Sequence, residues 1–184
     1  MRKLKLQVQM SVDGYIAGIN GEMDFLEQNW DAKIGKYVTD ITAPVDCIVL
    51  GRKLAQGFIP HWASNPGDAG AAKINSVKKV VFTHTLAASE WDNTVLAKGD
   101  LVDEITALKK QSGQDIIAYG GATFVSALVQ HGLIDEYHLF VNPTALGIGM
   151  PIFQGLEHSQ ALRLVRSISF DCGIVVLHYE LKRD

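Results

Sequence analysis

The sequence is poor in cysteine, with two in 184 residues, Cys47 and Cys172. They stand far apart with no Cys-x-x-Cys pair, so a disulfide framework or a thiolate metal centre has no basis, and each reads as a structural thiol. Long apolar runs are lacking too. The N-terminal stretch MRKLKLQVQM is basic, but it alternates polar and apolar residues and never forms the apolar core of a signal peptide. No segment approaches the ~18 consecutive apolar residues of a membrane span. A cytoplasmic protein that does not engage membranes is expected. Positive charge is not in excess either: 17 basic residues stand against 20 acidic ones, the net charge is −3, and the basic residues are scattered. That argues against a nucleic-acid partner and leaves a small molecule as the expected one.

Chemistry-bearing motifs of the common kinds are missing as well. None of the six histidines (61, 84, 131, 138, 158 and 178) lies in an HxH, HxxE or HExxH pattern, so no metal site is expected. His138 and His178 interrupt strand patterns and read as satisfied strand residues. Ser11, Ser89 and Ser126 lack the strand-turn-helix setting of a hydrolase nucleophile. There is no internal repeat, low-complexity tract or linker. With 47% hydrophobic and 20% charged residues, the chain has an ordinary globular balance, and residues 1–184 are expected to form a single domain.

What is present is an alternation of strand and helix patterns. Leu4, Leu6, Val8 and Met10 alternate with polar residues as a strand, which Asp13-Gly14 breaks. Ile34, Tyr37, Val38 and Ile41 recur at helical spacing up to Pro44. Short apolar runs follow: Cys47 to Leu50, Val80 to Phe82 and Ile116 to Tyr119. Each stops at Gly or a hydroxyl, as strands buried on both faces of a parallel sheet do. Between the last two, Asp100 caps a helix with Leu101, Ile105 and Leu108 on its inner stripe. Lys109 and Lys110 complement its dipole, and Gly113 stops it. A further helix runs from about Ala122 to His131. Tyr137–Val141, Leu162–Phe170 and Ile174–Leu181 read as strands, the last two facing each other across Asp171-Cys172-Gly173. The segment from Ile59 to Ser76, rich in Pro, Gly, Ala and Asn, reads as a flexible flap with at most one short helix. The expected fold is an α/β sandwich with a mainly parallel sheet and an antiparallel C-terminal hairpin.

Three of the parallel strands end in groups suited to anions. Tyr119-Gly120-Gly121-Ala122-Thr123 leads a buried strand through two glycines straight into a helix, where free N–H groups and a partial positive charge await a phosphate. A bare strand-to-helix turn would look the same. Gly51-Arg52-Lys53 places two cations after a glycine at another strand end, which taken alone reads more simply as a solvated helix start, and Thr83-His84 ends a third. Together they suggest an extended dinucleotide. The loop from Pro143 to Phe153 either walls a pocket or only bends toward the hairpin. Glu22 and Asp24 lie in a polar loop near Met23, Phe25 and Trp30, where an acid could donate a proton.

Taken in order, Ser11-Val12-Asp13-Gly14-Tyr15-Ile16-Ala17, Gly51-Arg52-Lys53, Tyr119-Gly120-Gly121-Ala122 and Leu133 to Leu139, followed by Pro143 to Phe153, resemble the dihydrofolate-reductase-like family. Within it, the chain is most similar to stand-alone relatives of the C-terminal reductase domain of the bifunctional riboflavin biosynthesis enzyme. The resemblance covers nearly the whole chain. It implies a three-layer α/β/α fold, NADPH across the strand ends, and hydride transfer to a pyrimidine- or pteridine-like or ribosylated substrate. In the riboflavin reductase that substrate is 5-amino-6-(5-phosphoribosylamino)uracil. By position, Gly120, Gly121, Ala122 and Thr123, next to Tyr119, would meet the pyrophosphate. Arg52 and Lys53, next to Gly51, would with Thr83 and His84 surround the adenosine side and its 2′-phosphate. Ile16 and Gly21 would flank the nicotinamide, and Asp24, with Glu27 as the other candidate, would be the acid. Family members are often homodimers, and the apolar C-terminal strands offer the contact.

Two departures from the pattern bear on function. Leu54 stands where the family usually has a phosphate-binding Thr, and the Pro-Trp context of the acid in true dihydrofolate reductases is missing. A reductase of the riboflavin type is therefore the leading expectation. Authentic dihydrofolate reduction and a nucleotide-binding module without turnover are the alternatives.

Overall fold

The structure is a computed structural model that describes residues 1–183. An eight-stranded sheet with the order β5-β4-β3-β6-β1-β7-β10-β9 runs through the molecule. Its strands are β1 (Leu4–Met10), β3 (Val45–Gly51), β4 (Lys78–Phe82), β5 (Thr94–Ala97), β6 (Asp115–Ala118), β7 (Glu136–Val141), β9 (Leu162–Ser169) and β10 (Val175–Leu181). The first six in spatial order are parallel; β10 pairs antiparallel with β7, and β9 antiparallel with β10. The expected α/β fold, mainly parallel with an antiparallel C-terminal hairpin, is the observed one. Strands β2 (Tyr15–Ala17) and β8 (Met150–Pro151) form a small antiparallel pair of their own. The loop from Pro143 is therefore tied to the turn after β1.

Helices cover both faces, because strands buried on both sides need an apolar layer above and below. On one face, α4 (Leu101–Lys110) and α5 (Ala122–Gln130) press Ile105, Leu108, Val125 and Leu128 into a core with Leu4, Leu6, Val8 and Tyr137. On the other, α2 (Arg52–Ser64) and α3 (Ala71–Ser76) set Ala55, Ile59 and Ile74 against Ile48, Leu50 and Val81. Beside them, α1 (Ala32–Thr42) sets Ile34, Tyr37 and Ile41 against Phe140, Phe170 and Val176. Asp31 caps α1 and Asp100 caps α4, each carboxylate accepting from two backbone amides of the first turn.

Several expectations are corrected. The segment 59–76 is mostly helical: α2 runs through Pro60 to Ser64, and α3 follows. Burial of Ala55 and Ile59 outweighs the ring's lost hydrogen bond. Strand β5 escapes the apolar pattern because it is a four-residue edge strand that pairs only with β4. Helix α4 ends at Lys110 with Gln111 as its extended C-cap, before Gly113. Gly113 has φ +151, and a Cβ there would come within 2.7 Å of the Asp46 carboxylate, which pairs with Arg2. Lys109 does not merely complement the α4 dipole. It is buried, pairs with Asp135 at 2.5 Å and donates to the Leu133 carbonyl at 2.9 Å.

His138 and His178 are strand residues as expected but only partly satisfied: His138 Nδ1 meets the Tyr37 hydroxyl at 2.7 Å, whereas among the described residues neither Nε2 has a hydrogen-bond partner. At the far side of the sheet, β9 leaves one ladder edge free and exposes Leu164 and Val165.

Candidate functional site

The C-terminal ends of β4, β3, β6 and β1 lie side by side, three strand spacings or about 14 Å across. Thr83, Tyr119 and Ser11 directly follow the ends of β4, β6 and β1, and Gly51 is the last residue of β3, so the topology assembles the groups singled out in the sequence. Two helices start here, α2 after Gly51 and α5 after Gly121, and neither has a side-chain cap. Helices α1 and α4 each spend an Asp on that task. The first amides of α2 and α5 thus remain available for an anion, with both dipoles adding positive potential at adjacent strand ends.

Both glycine caps are required by geometry. A Cβ on Gly51 would lie 2.9 Å from the Cβ of Phe124, so the two helix starts pack in contact. Gly120 and Gly121 adopt φ +148 and +84, which an L side chain rarely allows. Tyr119 stacks on Phe58 at 5.2 Å between ring centroids, and its burial raises the phenol pKa. Leu54 borders this turn: its Cδ2 lies 3.8 Å from where a Gly120 Cβ would be, and its Cβ 3.7 Å from that of Gly121. An apolar side chain therefore edges the glycine cradle where a hydroxyl was expected.

Arg52 bonds Gln56 at 3.1 Å and Lys53 is exposed; among the described residues, neither forms an ion pair. Thr83 is buried, and its hydroxyl accepts from the Thr85 and Leu86 amides, so it shapes its own turn, while His84 is exposed. Thr123 is exposed in the first turn of α5, behind a half-buried Ala122. Ile16 is buried in the main core, whereas Gly21 sits exposed in its loop at φ +92. Asp24 is exposed and Glu27 half-buried.

Two residues that organise the groove were not singled out as functional from sequence. Asn142, at the end of β7, is fully buried. Its Nδ2 donates to Gln9 Oε1 at 2.8 Å, to the Phe140 carbonyl at 3.1 Å and to the Met10 carbonyl at 3.3 Å, while Oδ1 accepts from the Glu27 amide at 2.9 Å. It thereby joins β1, β7 and the loop containing Asp24. The only signal in sequence was an Asn-Pro pair closing an apolar strand. Trp30 completes the anchor by stacking on Phe140.

The second is Asp13, read in sequence as a strand breaker. It accepts from the Ser11 hydroxyl at 2.6 Å and from the Leu146 and Gly147 amides at 3.1 and 2.6 Å, tying the loop after β1 to the loop after β7. These bonds, the Ser11 hydroxyl first, lower its pKa to about 2. The folded value lies below the ~3.9 of an unfolded Asp, so the stabilisation is complete above about pH 4 and fades as pH falls toward the folded pKa. The difference in unfolding midpoint between wild type and Asp13→Asn is therefore expected to be constant near neutrality and to shrink on acidification. A difference that widens in acid would contradict this role.

The sequence itself carries the same signature beyond these positions. Residues 2–176 match the family model described as the RibD C-terminal domain. The chain belongs to the RibD C-terminal domain family. Among its relatives, the uncharacterized protein YyaP of Bacillus subtilis is 33% identical over 97% of this chain and 94% of its own length. YwjB of the same organism, also uncharacterized, is 27% identical over 97% of each chain. A solved structure from Shewanella sp. PV-4, named "putative riboflavin biosynthesis protein", superposes with a TM-score of 0.76 at 25% identity, covering each chain fully. The deaminase/5-amino-6-(5-phosphoribosylamino)uracil reductase of Thermotoga maritima shares the fold at a TM-score of 0.71 and 16% identity; 98% of this chain matches 57% of that one. This chain of the RibD C-terminal domain family places its glycine-capped helices at the carboxyl ends of a parallel sheet. Among the described residues, no helix is long and apolar enough to cross a membrane.

Proposed function

We propose that the chain is a reductase that uses NADPH to reduce a small pyrimidine- or pteridine-like or ribosylated substrate; the Thermotoga protein that shares the fold is named a 5-amino-6-(5-phosphoribosylamino)uracil reductase. The observation that carries this reading is the pair of uncapped, glycine-started helices α2 and α5 side by side, with Arg52 and Lys53 free of ion pairs. The residues fit the cofactor's charge: the α5 start and Gly120-Gly121 suit a pyrophosphate, and Arg52 and Lys53 suit a further phosphate monoester. When bound, the nicotinamide supplies the hydride. The chain's own part is placement. Asn142 and Asp13 hold the two loops that flank the groove, and Asp24, exposed in one of them, supplies the proton in this reading.

A thermal-unfolding titration with NADPH and NADH tests this directly. NADPH at ~100 Kd adds roughly 2.7 kcal/mol. At about 2–4 °C per kcal/mol for this length, the midpoint should rise by roughly 5–11 °C, with a smaller rise for NADH at the same concentration. No shift at saturating NADPH would remove the cofactor from the proposal. Leu54 beside the glycine cradle favours a second reading, a nucleotide-binding module without turnover. That reading predicts the same shift but no NADPH oxidation with any heterocycle offered.

A further inference from the structure

A second polar cluster lies under α1, away from the groove. Glu136 and His138 stand two residues apart on β7, and His178 is paired with His138 across to β10, so all three side chains leave the same sheet face. Glu136 Oε2 lies 3.5 Å from His138 Nε2 and 3.9 Å from His178 Nε2, and the three atoms lie within 4.8 Å of one another. His138 is 2% exposed, and the His178 side chain is 17% exposed. Among the described residues both Nε2 atoms lack a hydrogen-bond partner, a state that is unfavourable for a buried polar group. Two unpartnered imidazole nitrogens beside one carboxylate oxygen are an unusual thing to bury.

We propose that Glu136, His138 and His178 form a binding site for one divalent transition-metal ion of the zinc class, with water completing the coordination. Bonds of ~2.0–2.2 Å to nitrogen and oxygen put tetrahedral ligand atoms about 3.3–3.5 Å apart, close to the carboxylate-imidazole separations here. Two imidazoles and a carboxylate suit Zn, Co, Ni or Cu and not Mg or Ca. The supporting contacts are also of the right kind. The Tyr37 hydroxyl lies 2.7 Å from His138 Nδ1, and an Nδ1–H donated to it leaves the Nε2 lone pair facing the site. Lys3, on the other carboxylate oxygen of Glu136, is the cation a metal ion competes with.

Two features shape the affinity. The imidazole rings are stacked at 4.3 Å and tilted by 24°, so their lone pairs converge only after His178, the more exposed ring, turns about χ2. The charges around the site are already matched: Lys3 with Glu136, Lys5 with Asp115 and Arg163 with Glu180, while Arg166 lies over the Tyr37 ring. An arriving cation therefore displaces Lys3, whose side chain is 52% exposed and free to move into solvent. His138 is paired with Gln7, three residues or about 10 Å before the end of β1, so the ion would clamp β7 to β10 and, through Tyr37, to α1. It would not enter the groove.

Titration of the metal-free full chain with Co²⁺ and Zn²⁺, by calorimetry and visible absorption, tests the site. One ion per chain should bind, giving tetrahedral Co²⁺ bands without the sulfur charge-transfer band that Cys47 or Cys172 would add, and raising the unfolding midpoint. Tyr37→Phe should weaken binding about 10–100-fold. His178→Ala, on the more exposed strand, should abolish it while the circular dichroism stays native. Lys3→Met should tighten it several-fold. Absence of stoichiometric binding to the folded wild-type chain, or an unchanged Kd in His178→Ala, overturns the assignment.

Discussion

Asn142→Asp is expected to destabilise the protein by about 3–5 kcal/mol at neutral pH, the cost of an uncompensated buried charge. Every donor bond of the wild-type amide goes to an oxygen, at Gln9, Phe140 and Met10. In a carboxylate the oxygen that replaces Nδ2 faces these three acceptors and no donor, and the other oxygen keeps only the Glu27 amide. At this chain length about 3 kcal/mol corresponds to a midpoint lower by roughly 6–12 °C. The sign with pH is diagnostic. The new carboxyl has a folded pKa raised above the unfolded ~3.9, so the destabilisation is full above the folded pKa and diminishes as pH falls through it toward the unfolded one. Asn142→Ala, which removes the bonds without adding charge, should cost less and show no such recovery. Thermal unfolding of both variants across pH decides it; an Asn142→Asp variant as stable as wild type at neutrality would show that the amide is not the joint between β1, β7 and the 22–30 loop.

Arg52→Ala carries the largest effect expected at the groove. Among the described residues the guanidinium has only Gln56 as a partner, so its remaining donors can grip a phosphate monoester in the two-bond manner that arginine favours. Losing charged hydrogen bonds worth about 1.5–3 kcal/mol should weaken NADPH roughly 10–100-fold. NADH, which lacks the 2′-phosphate, should lose at most about 2-fold. Calorimetric titration of the two cofactors against wild type and Arg52→Ala separates the outcomes. Equal losses for both would mean that Arg52 does not read the 2′-phosphate. Because Arg52 stands in the first turn of α2 and is half exposed, the variant should fold as the parent does.

The parallel strands were legible because burial on both faces demands apolar runs such as Val45–Gly51 and Ile116–Ala118, and because glycine or a hydroxyl stops each run. The α4 helix was legible through its Asp100 cap and acidic first turn, since capping is a local matter of a few residues. The same locality made Gly51-Arg52-Lys53 and Tyr119-Gly120-Gly121 visible as anion-suited strand ends. Where information was not local, the reading failed. Helix α2 crosses Pro60 because its inner side is buried against β3, and β5 exists only because β4 offers it an edge.

The functional organisation divides in the same way. The sequence by itself determined the alternating layers, the C-terminal hairpin, the glycine starts of α2 and α5, and the ordered motifs that mark the family. Only the tertiary structure decided that those starts lie on adjacent strands, that Phe124 abuts Gly51, and that Leu54 edges the glycine turn. It alone turned Asn142 and Asp13 into joints between distant loops. It also brought His178 to Glu136 and His138 across a strand pairing that spans about forty residues. Periodicity and caps act over a few residues and are written along the chain. Strand order, cross-strand neighbours and loop anchors arise from closure between distant segments, which no local pattern encodes.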